Sequence, residues 1–207
     1  MSPTTGDLYG SAPDQSPTAL LLIDVINAFE FPEAAQLLEF ALPMARKLAA
    51  LKRRMKQQGI PAIYVNDNFG RWRSDFRSQV DHSLEPDSLG REIVELLHPD
   101  EDDYFILKPK HSGFYSTTLE LLLEHLKADT LVLTGVATNI CVLFTAHEAF
   151  LRGYRLIVPS DCVAANTAAD TQYALAQMQA VLKADVRNSN EVEFPAQEIP
   201  AAETESP

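Results

Sequence analysis

Two short apolar runs without alternation constrain the fold of this chain most strongly. Residues 19–23 (ALLLI) and 130–134 (TLVLT) contain no charged side chain. A strand with one face in water alternates apolar and polar residues, whereas these runs are typical of strands covered on both faces, as in parallel sheets. Further strands are predicted at 61–65, 104–107 and 155–158, with helical patterns between them. This order of strands and helices predicts an α/β protein with a mostly parallel sheet.

Helical spacing separates the predicted strands. Apolar residues recur every three or four positions over 33–58, which predicts an amphipathic helix that Pro43 interrupts early. The stretch 69–85 has no clear period and is predicted to be a long functional loop with some helix. Residues 185–193 are predicted to add a short edge strand, so the sheet has five or six strands. The other helices are predicted at 88–97, 117–127 and 168–183.

The length and composition predict one folded domain. The chain has 207 residues, of which 46% are hydrophobic, enough to bury one sizeable core. We expect this domain to span residues 18–194. Residues 1–17 are rich in Ser, Thr, Pro, Gly and Asp, and residues 195–207 are acidic and contain proline, so both ends are predicted to be disordered.

Charge and cysteine content exclude several classes of function. The chain has 17 basic and 29 acidic residues, a net charge of −12 that repels phosphate backbones, so we expect no nucleic-acid partner. No segment approaches the roughly 18 apolar residues that cross a bilayer, and no secretion signal is apparent. Two cysteines, Cys141 and Cys162, are too few for a disulfide framework and favour a reducing, cytoplasmic location.

Three polar residues are predicted to lie at the carboxyl ends of strands. Asp24 follows 19–23, Lys108 follows 104–107, and Cys141 falls in the first turn of the helix after 130–134, where Gly135 is expected to end the strand. In a parallel sheet these ends share one edge, where ligands bind. A thiol nucleophile, a carboxylate that takes its proton and an ammonium that stabilises charge form a chemically coherent set. The helix dipole is expected to lower the pKa of the thiol.

Each of these residues has a simpler interpretation. Aspartate commonly caps the turn that follows a strand, and this would explain Asp24. Lys108 is also explained as a solvated lysine, and Lys110 lies close enough to be confused with it. Cys141 is equally consistent with a small buried core residue. Cys162 lacks the turn and helix start that precede Cys141, and we interpret it as structural.

Three segments carry a resemblance to a known family. They are LLLIDVINAF (20–29), ILKPKHSGFYSTTLELLL (106–123) and LVLTGVATNICVLFTAHEAFLRGYRLIVPSD (131–161). With them the chain resembles the isochorismatase-like cysteine hydrolases, which include nicotinamidases, carbamoylsarcosine amidohydrolases and isochorismatases. The resemblance implies a Rossmann-like three-layer α/β/α fold, with Cys141 as nucleophile, Asp24 as general base and Lys108 as third member of a triad. It also implies a cis peptide between Val136 and Ala137, whose N–H joins that of Cys141 in an oxyanion hole.

Departures from the family pattern narrow the expected chemistry. Ile26 stands where the family usually has Gln. The segment after the second strand reads Asp67-Asn68-Phe69 rather than Asp-x-His, and the first later histidine is His82, so we expect no metal and no cofactor. Because Cys141 is retained, the resemblance favours hydrolysis of an amide or carbamoyl C–N bond through a thioester. The alternatives are hydrolysis of a vinyl ether or ester-like bond, and a non-catalytic binding module on the same fold.

Residues beyond the strand ends and on the long loop are candidates for substrate binding. Arginines of this loop suit a substrate carboxylate, although arginines in a loop of an acidic protein more often form surface ion pairs. The expected partner is a small molecule that the sequence does not name, and the resemblance suggests a homo-oligomer, either dimer or tetramer. The substrate-binding candidates are Phe29, Asn66, Arg71, Trp72, Phe114 and Tyr115, with Arg73 and Arg77 as further arginines.

Overall fold

The computed structural model describes residues 15–70 and 75–194. The strands are β1 (Thr18–Ile23), β2 (Ala62–Asp67), β3 (Tyr104–Lys108), β4 (Thr130–Val136), β5 (Arg155–Ile157) and β6 (Val163–Ala164). The helices are α1 (Ala34–Gln57), α2 (Phe76–Ser83), α3 (Arg91–Leu96), α4 (Leu119–Leu126), α5 (Leu143–Leu151) and α6 (Ala168–Leu182), and one π-helical turn, Thr138–Val142, precedes α5.

The strands form one parallel sheet, which confirms the predicted fold class. Its order is β3-β2-β1-β4-β5, and β6 also pairs with β4. The chain builds outward from β1 to β3 and then returns to place β4 on the other side of β1. Such a reversal opens a crevice at the carboxyl ends of the two central strands. Ile23 of β1 is in register with Gly135 of β4, so the residues that follow them lie beside this crevice.

Alternate side chains of the central strands serve two separate cores. Leu20 and Leu22 pack with α1, α2 and α3 on one face of the sheet. Leu21 and Ile23 pack with α4, α5 and α6 on the other face. The unbroken apolar runs are therefore explained by burial on both faces, and the molecule has three layers, α/β/α.

Three predicted elements differ from the structure. Helix α1 continues through Pro43, because buried residues on both sides, such as Leu37 and Leu48, keep it on the sheet and offset the roughly 3 kcal/mol that proline costs. Strand β4 continues through Gly135, which pairs with β1. The predicted edge strand 185–193 forms only an isolated bridge at Asp185, because hydrogen bonds to side chains of neighbouring segments hold this stretch instead.

The predicted disordered ends fall largely outside the described residues. Residues 1–14 and 195–207 are not described, but Ser16 is buried and its N–H donates to the carbonyl of Leu126 at 2.8 Å. The folded part therefore begins before the predicted boundary at residue 17. Among the described residues, no helix combines the length and apolar character needed to cross a membrane.

Candidate active site

Asp24, Lys108 and Cys141 meet at the carboxyl edge of the sheet. The Nζ of Lys108 lies 2.8 Å from Oδ2 of Asp24 and 3.6 Å from Sγ of Cys141. Asp24 follows β1, Lys108 ends β3 and Cys141 lies in the π-helical turn after β4. Lys110 is exposed, so the lysine that joins the group is Lys108.

Asp67, the last residue of β2, occupies the gap between β1 and β3. Its backbone N–H donates to Oδ1 of Asp24 at 2.7 Å. Its own Oδ2 lies 3.5 Å from Nζ of Lys108. The ammonium is therefore placed between two carboxylates, and the backbone of β2 holds one of them in position.

Burial and the neighbouring charges together set the pKa values of this group. Lys108 is fully buried, and although burial disfavours its charge, Asp24 and Cys141 outweigh this effect and raise its pKa, so the ammonium is retained. Burial raises the pKa of Asp24 against the opposing effect of Lys108. Burial and then the Asp24 carboxylate raise the pKa of the Cys141 thiol, and Lys108 only partly offsets them.

The expectation that the pKa of Cys141 is lowered is therefore wrong. Partial burial of the thiol and the facing Asp24 carboxylate both disfavour the thiolate, and together they outweigh the stabilisation that the Lys108 ammonium provides. Cys162 is completely buried in the core, and burial raises its pKa to about 12, which agrees with the structural interpretation.

The turn that carries Cys141 is held at both ends. The peptide bond between Val136 and Ala137 is cis, and the carbonyl of Ala137 accepts from the N–H groups of Ile140 and Val142 at 3.0 and 3.2 Å. The Thr145 hydroxyl donates to the Cys141 carbonyl at 2.7 Å. That hydroxyl also accepts from the N–H of Gly113 at 3.0 Å, so it ties the cysteine turn to the segment after Lys108.

A cavity of about 640 Å³ is lined by Asp24 and Cys141, while Lys108 lies buried behind them. Asp24, Asp67 and Cys141 are among its polar lining residues. Phe31, Phe69 and Ile140 contribute apolar walls, and Asn27 and His111 also line it. The predicted substrate residues did not include these five, although Asn27 and Phe69 could have been found as residues soon after strand ends.

The substrate-binding candidates lie elsewhere or are not described. Phe29 packs in the core against Phe31, with ring centroids 5.9 Å apart. Asn66 is fully buried and donates to the Ile26 carbonyl at 2.6 Å. Phe114 is buried beneath Arg152 and Tyr154. None of these three lines the cavity within the described part of the chain, nor does the half-exposed Tyr115. Arg71, Trp72 and Arg73 lie outside the described residues, and Arg77 is exposed on α2.

A cluster of carboxylates close enough together to bind a metal lies outside the lining of the cavity at Cys141. In residues 15–70 and 75–194, such a group consists of Asp100, Asp102 and Asp103. Each of these acids pairs with Lys52 or Lys56, at distances of 2.5 to 3.3 Å.

Comparisons with known proteins agree on one family. The isochorismatase domain model matches residues 18–191. The uncharacterized isochorismatase family protein YaaI of Bacillus subtilis is 37% identical over 174 residues, which cover 84% of this chain and 95% of that protein. The ureidoacrylate amidohydrolase RutB of Methylobacterium radiotolerans is 28% identical over 72% of this chain and 67% of its own length. The crystal structure of N-carbamoylsarcosine amidase from Thermoplasma acidophilum is 31% identical with a TM-score of 0.68, covering 86% of this chain and all of that one.

Proposed function

This chain belongs to the isochorismatase family of hydrolases, and from that premise we propose that it cleaves a C–N bond of a small amide or carbamoyl compound. The reaction proceeds through a thioester on Cys141. The observation that carries this proposal is the position of the Lys108 ammonium, 2.8 Å from Asp24 and 3.6 Å from Cys141 beside an open cavity. Relatives named for ureidoacrylate and N-carbamoylsarcosine support an amide or carbamoyl group as the target.

Asp24 acts first as the general base. Its raised pKa suits it to accept the thiol proton while Lys108 offsets the negative charge of the pair. Cys141 attacks the carbonyl carbon, and the N–H groups of Ala137 and Cys141 stabilise the oxyanion. Protonated Asp24 then gives its proton to the departing amine.

Water completes the reaction. Asp24, again a carboxylate, takes a proton from the water that attacks the thioester carbonyl, and this proton returns to the thiolate of Cys141. The overall change is amide plus water to carboxylic or carbamic acid plus amine. Neither a metal nor a redox cofactor enters these steps.

A screen of amides, ureas and carbamoyl amino acids tests this function. Wild type, Cys141→Ala and Cys162→Ala are assayed in parallel for released ammonia or amine and for the acid product. We expect Cys141→Ala to lose at least about a thousandfold in rate, as when a nucleophile is removed from similar covalent mechanisms. Cys162→Ala is the matched control, because its thiol lies in the core, and it should keep the rate of the wild type.

Two outcomes would redirect the assignment. Release of an alcohol or enol-derived product without amine would favour hydrolysis of an ester-like or vinyl ether bond. Turnover by Cys141→Ala at the rate of the wild type would exclude the thioester route. Intact-protein mass spectrometry during turnover adds a direct measurement, since the acyl or carbamoyl group should add its mass to wild type and not to Cys141→Ala.

We also propose that residues 18–194 act as one domain in the cytoplasm, as a homodimer or homotetramer. Two free cysteines and no disulfide among the described residues support a reducing setting. Phe144 and Leu151 on α5 and Tyr173 on α6 are exposed large apolar side chains that support an association between copies. Light scattering on the purified chain measures the mass, and a monomer at micromolar concentration would contradict the oligomer.

A further inference from the structure

Asp67 is the more exposed of the two carboxylates that face Lys108. Its side chain is 27% exposed and lines the cavity at Cys141, whereas the side chain of Asp24 is 9% exposed. Asp67 ends β2 and is in register with Lys108 on β3, so both residues belong to the carboxyl edge of the sheet. A ligand in the cavity can therefore contact the Asp67 carboxylate, and no step of the proposed hydrolysis uses it.

The carboxylate of Asp67 keeps capacity to accept hydrogen bonds. Its Oδ1 accepts from the backbone N–H of Phe69 at 2.6 Å, and this contact orients the group. Its Oδ2 lies 3.5 Å from Nζ of Lys108, which is longer than the roughly 2.7–3.2 Å of an ordinary hydrogen bond. A carboxylate offers about four acceptor positions, so these two contacts leave room for a hydrogen bond from a ligand.

Asp24 is engaged in a different way. Its Oδ1 accepts from the backbone N–H of Asp67 at 2.7 Å, and its Oδ2 pairs with Lys108 at 2.8 Å. In the proposed hydrolysis Asp24 also takes the thiol proton and gives it to the departing amine. The two carboxylates therefore suit two different substrate groups, with Asp24 serving the nitrogen that leaves and Asp67 free to bind a nitrogen that stays.

The distance between Asp67 and Cys141 limits which substrate atom Asp67 can reach. Nζ of Lys108 lies 3.5 Å from Oδ2 of Asp67 and 3.6 Å from Sγ of Cys141, so this oxygen and the sulfur are at most about 7 Å apart. Before the sulfur–carbon bond forms, the attacked carbon lies about 3–3.5 Å from the sulfur. A C–N bond of about 1.3 Å and a hydrogen bond of about 2.9 Å span the remainder. A nitrogen bonded directly to the attacked carbon therefore comes within reach of Asp67.

We propose that Asp67 is a specificity-determining residue, whose carboxylate accepts a hydrogen bond from an N–H group that stays on the attacked carbonyl carbon. This assignment rests on the proposed function, because it takes Cys141 as the nucleophile. A carbamoyl group carries such an N–H on its unsubstituted nitrogen, whereas an acetyl group of nearly the same size has a methyl group there. The preferred substrates are therefore carbamoyl compounds with an unsubstituted nitrogen, and the thioester on Cys141 is a carbamoyl thioester.

Two chromogenic probes test this role. para-Nitrophenyl carbamate and para-nitrophenyl acetate transfer a carbamoyl or an acetyl group to Cys141 and release the same nitrophenolate. In this step the sulfur–carbon bond forms, the thiol proton passes to Asp24, and the nitrophenolate leaves with the electron pair of the broken carbon–oxygen bond. Absorbance at pH 6 measures the release, and the rate with Cys141→Ala is subtracted as background.

Asp67→Asn should act on one probe more than on the other. Asparagine keeps the size of the side chain and an oxygen for the N–H of Phe69, but its NH₂ group cannot accept a hydrogen bond from the substrate. We expect the ratio of the carbamoylation rate to the acetylation rate to fall at least about tenfold, in line with a hydrogen bond to a charged group. Any effect on Lys108, Asp24 or the thiol is common to both probes and does not change this ratio.

A second variant and a control accompany this measurement. Asp67→Ser also removes the carboxylate, and its hydroxyl can still accept from the N–H of Phe69, so it should show the same selective loss. Asp81→Asn on the exposed side of α2 removes a carboxylate away from the cavity and should leave both rates unchanged. If Asn and Ser at position 67 slowed both probes equally, Asp67 would only support its neighbours and the proposal would be wrong.

The outcomes also separate this role from the proposed function. Acylation of Cys141 at a ratio that neither substitution at Asp67 changes would leave the thioester route and remove the role of Asp67. Nitrophenolate release by the wild type no faster than by Cys141→Ala would remove the thioester route, and the role of Asp67 with it. A selective loss of carbamoylation without amine release in the substrate screen would keep Asp67 as the binding residue and remove C–N cleavage.

Discussion

Lys108→Met tests whether the buried ammonium is what compensates Asp24 in the folded protein. Methionine has similar length and volume but no charge, so the variant keeps the packing and removes the group 2.8 Å from the carboxylate. Loss of one member of a buried ion pair typically costs about 3–5 kcal/mol. The cost has an upper limit, because Asp24 can take up a proton instead of staying charged without a partner. Protonating a carboxylate costs about 1.4 kcal/mol for each pH unit above its ordinary pKa of 3.8. The destabilisation of Lys108→Met is therefore limited to about 4 kcal/mol at pH 7 and about 1.6 kcal/mol at pH 5.

The direction of the pH dependence follows from the same carboxyl group. Burial already raises the pKa of Asp24 in the wild type, and loss of Lys108 raises it further. A group whose pKa is higher in the folded than in the unfolded state stabilises the fold at low pH, and this contribution is lost as the pH rises. The deficit of Lys108→Met relative to wild type should therefore grow from pH 5 to pH 7.

Urea unfolding followed by far-UV circular dichroism at pH 5, 6 and 7 measures this deficit. Lys110→Met is the matched control, because that lysine is exposed, and its effect should stay within about 0.5 kcal/mol. The double variant Asp24→Asn with Lys108→Met removes both charges and should recover most of the lost stability. A deficit that does not change between pH 5 and pH 7, together with a double variant no more stable than Lys108→Met, would refute the reasoning.

Three further predictions concern the cysteine turn and the central strands. Asp24→Asn removes a carboxylate that raises the pKa of the Cys141 thiol, so iodoacetamide should alkylate Cys141 faster at pH 8 than in the wild type, although hydrolysis is lost. Mass spectrometry measures the alkylation rates, and slower alkylation of Asp24→Asn would contradict the prediction. Thr145→Val removes the hydroxyl that fixes the carbonyl of Cys141, so kcat should fall about tenfold at constant KM. Thr145→Ser keeps a hydroxyl and should restore kcat. Equal losses of kcat in the Val and Ser variants would indicate that Thr145 acts through packing alone. Gly135→Ala, at φ +104°, drives a Cβ into the backbone of β1 and should cost at least about 3 kcal/mol in urea unfolding. Gly153→Ala, at φ +85° in open space, should cost about 1 kcal/mol, and equal costs would show that the contact is unimportant.

The parallel sheet and its functional edge could be predicted from local pattern. Apolar runs such as 19–23 require cover on both faces, and that requirement holds wherever the strand lies in the sheet. Once the strands are parallel, their carboxyl ends share one edge, so Asp24, Lys108 and Cys141 were expected to approach one another. The structure brings them within hydrogen-bonding and ion-pair distances.

The choice between two lysines shows where local pattern stops. Lys108 and Lys110 are two residues apart, and in an extended strand such residues point to the same face. The structure separates them because β3 ends at Lys108 and the chain then turns, which leaves Lys110 exposed. The end of the strand depends on its pairing with β2, where Asp67 is the partner of Lys108.

The protonation of the thiol and the lining of the cavities were decided only by the tertiary structure. The helix dipole at Cys141 can be anticipated from the strand-to-helix order, but burial depends on what packs over the sulfur, and burial prevails. Phe114 and Phe69 both follow strands, yet one packs under Arg152 and the other lines the pocket. Periodicity is a property of neighbouring residues and survives in any fold, whereas the direction of a loop side chain and its access to water are set by contacts between segments far apart in the chain.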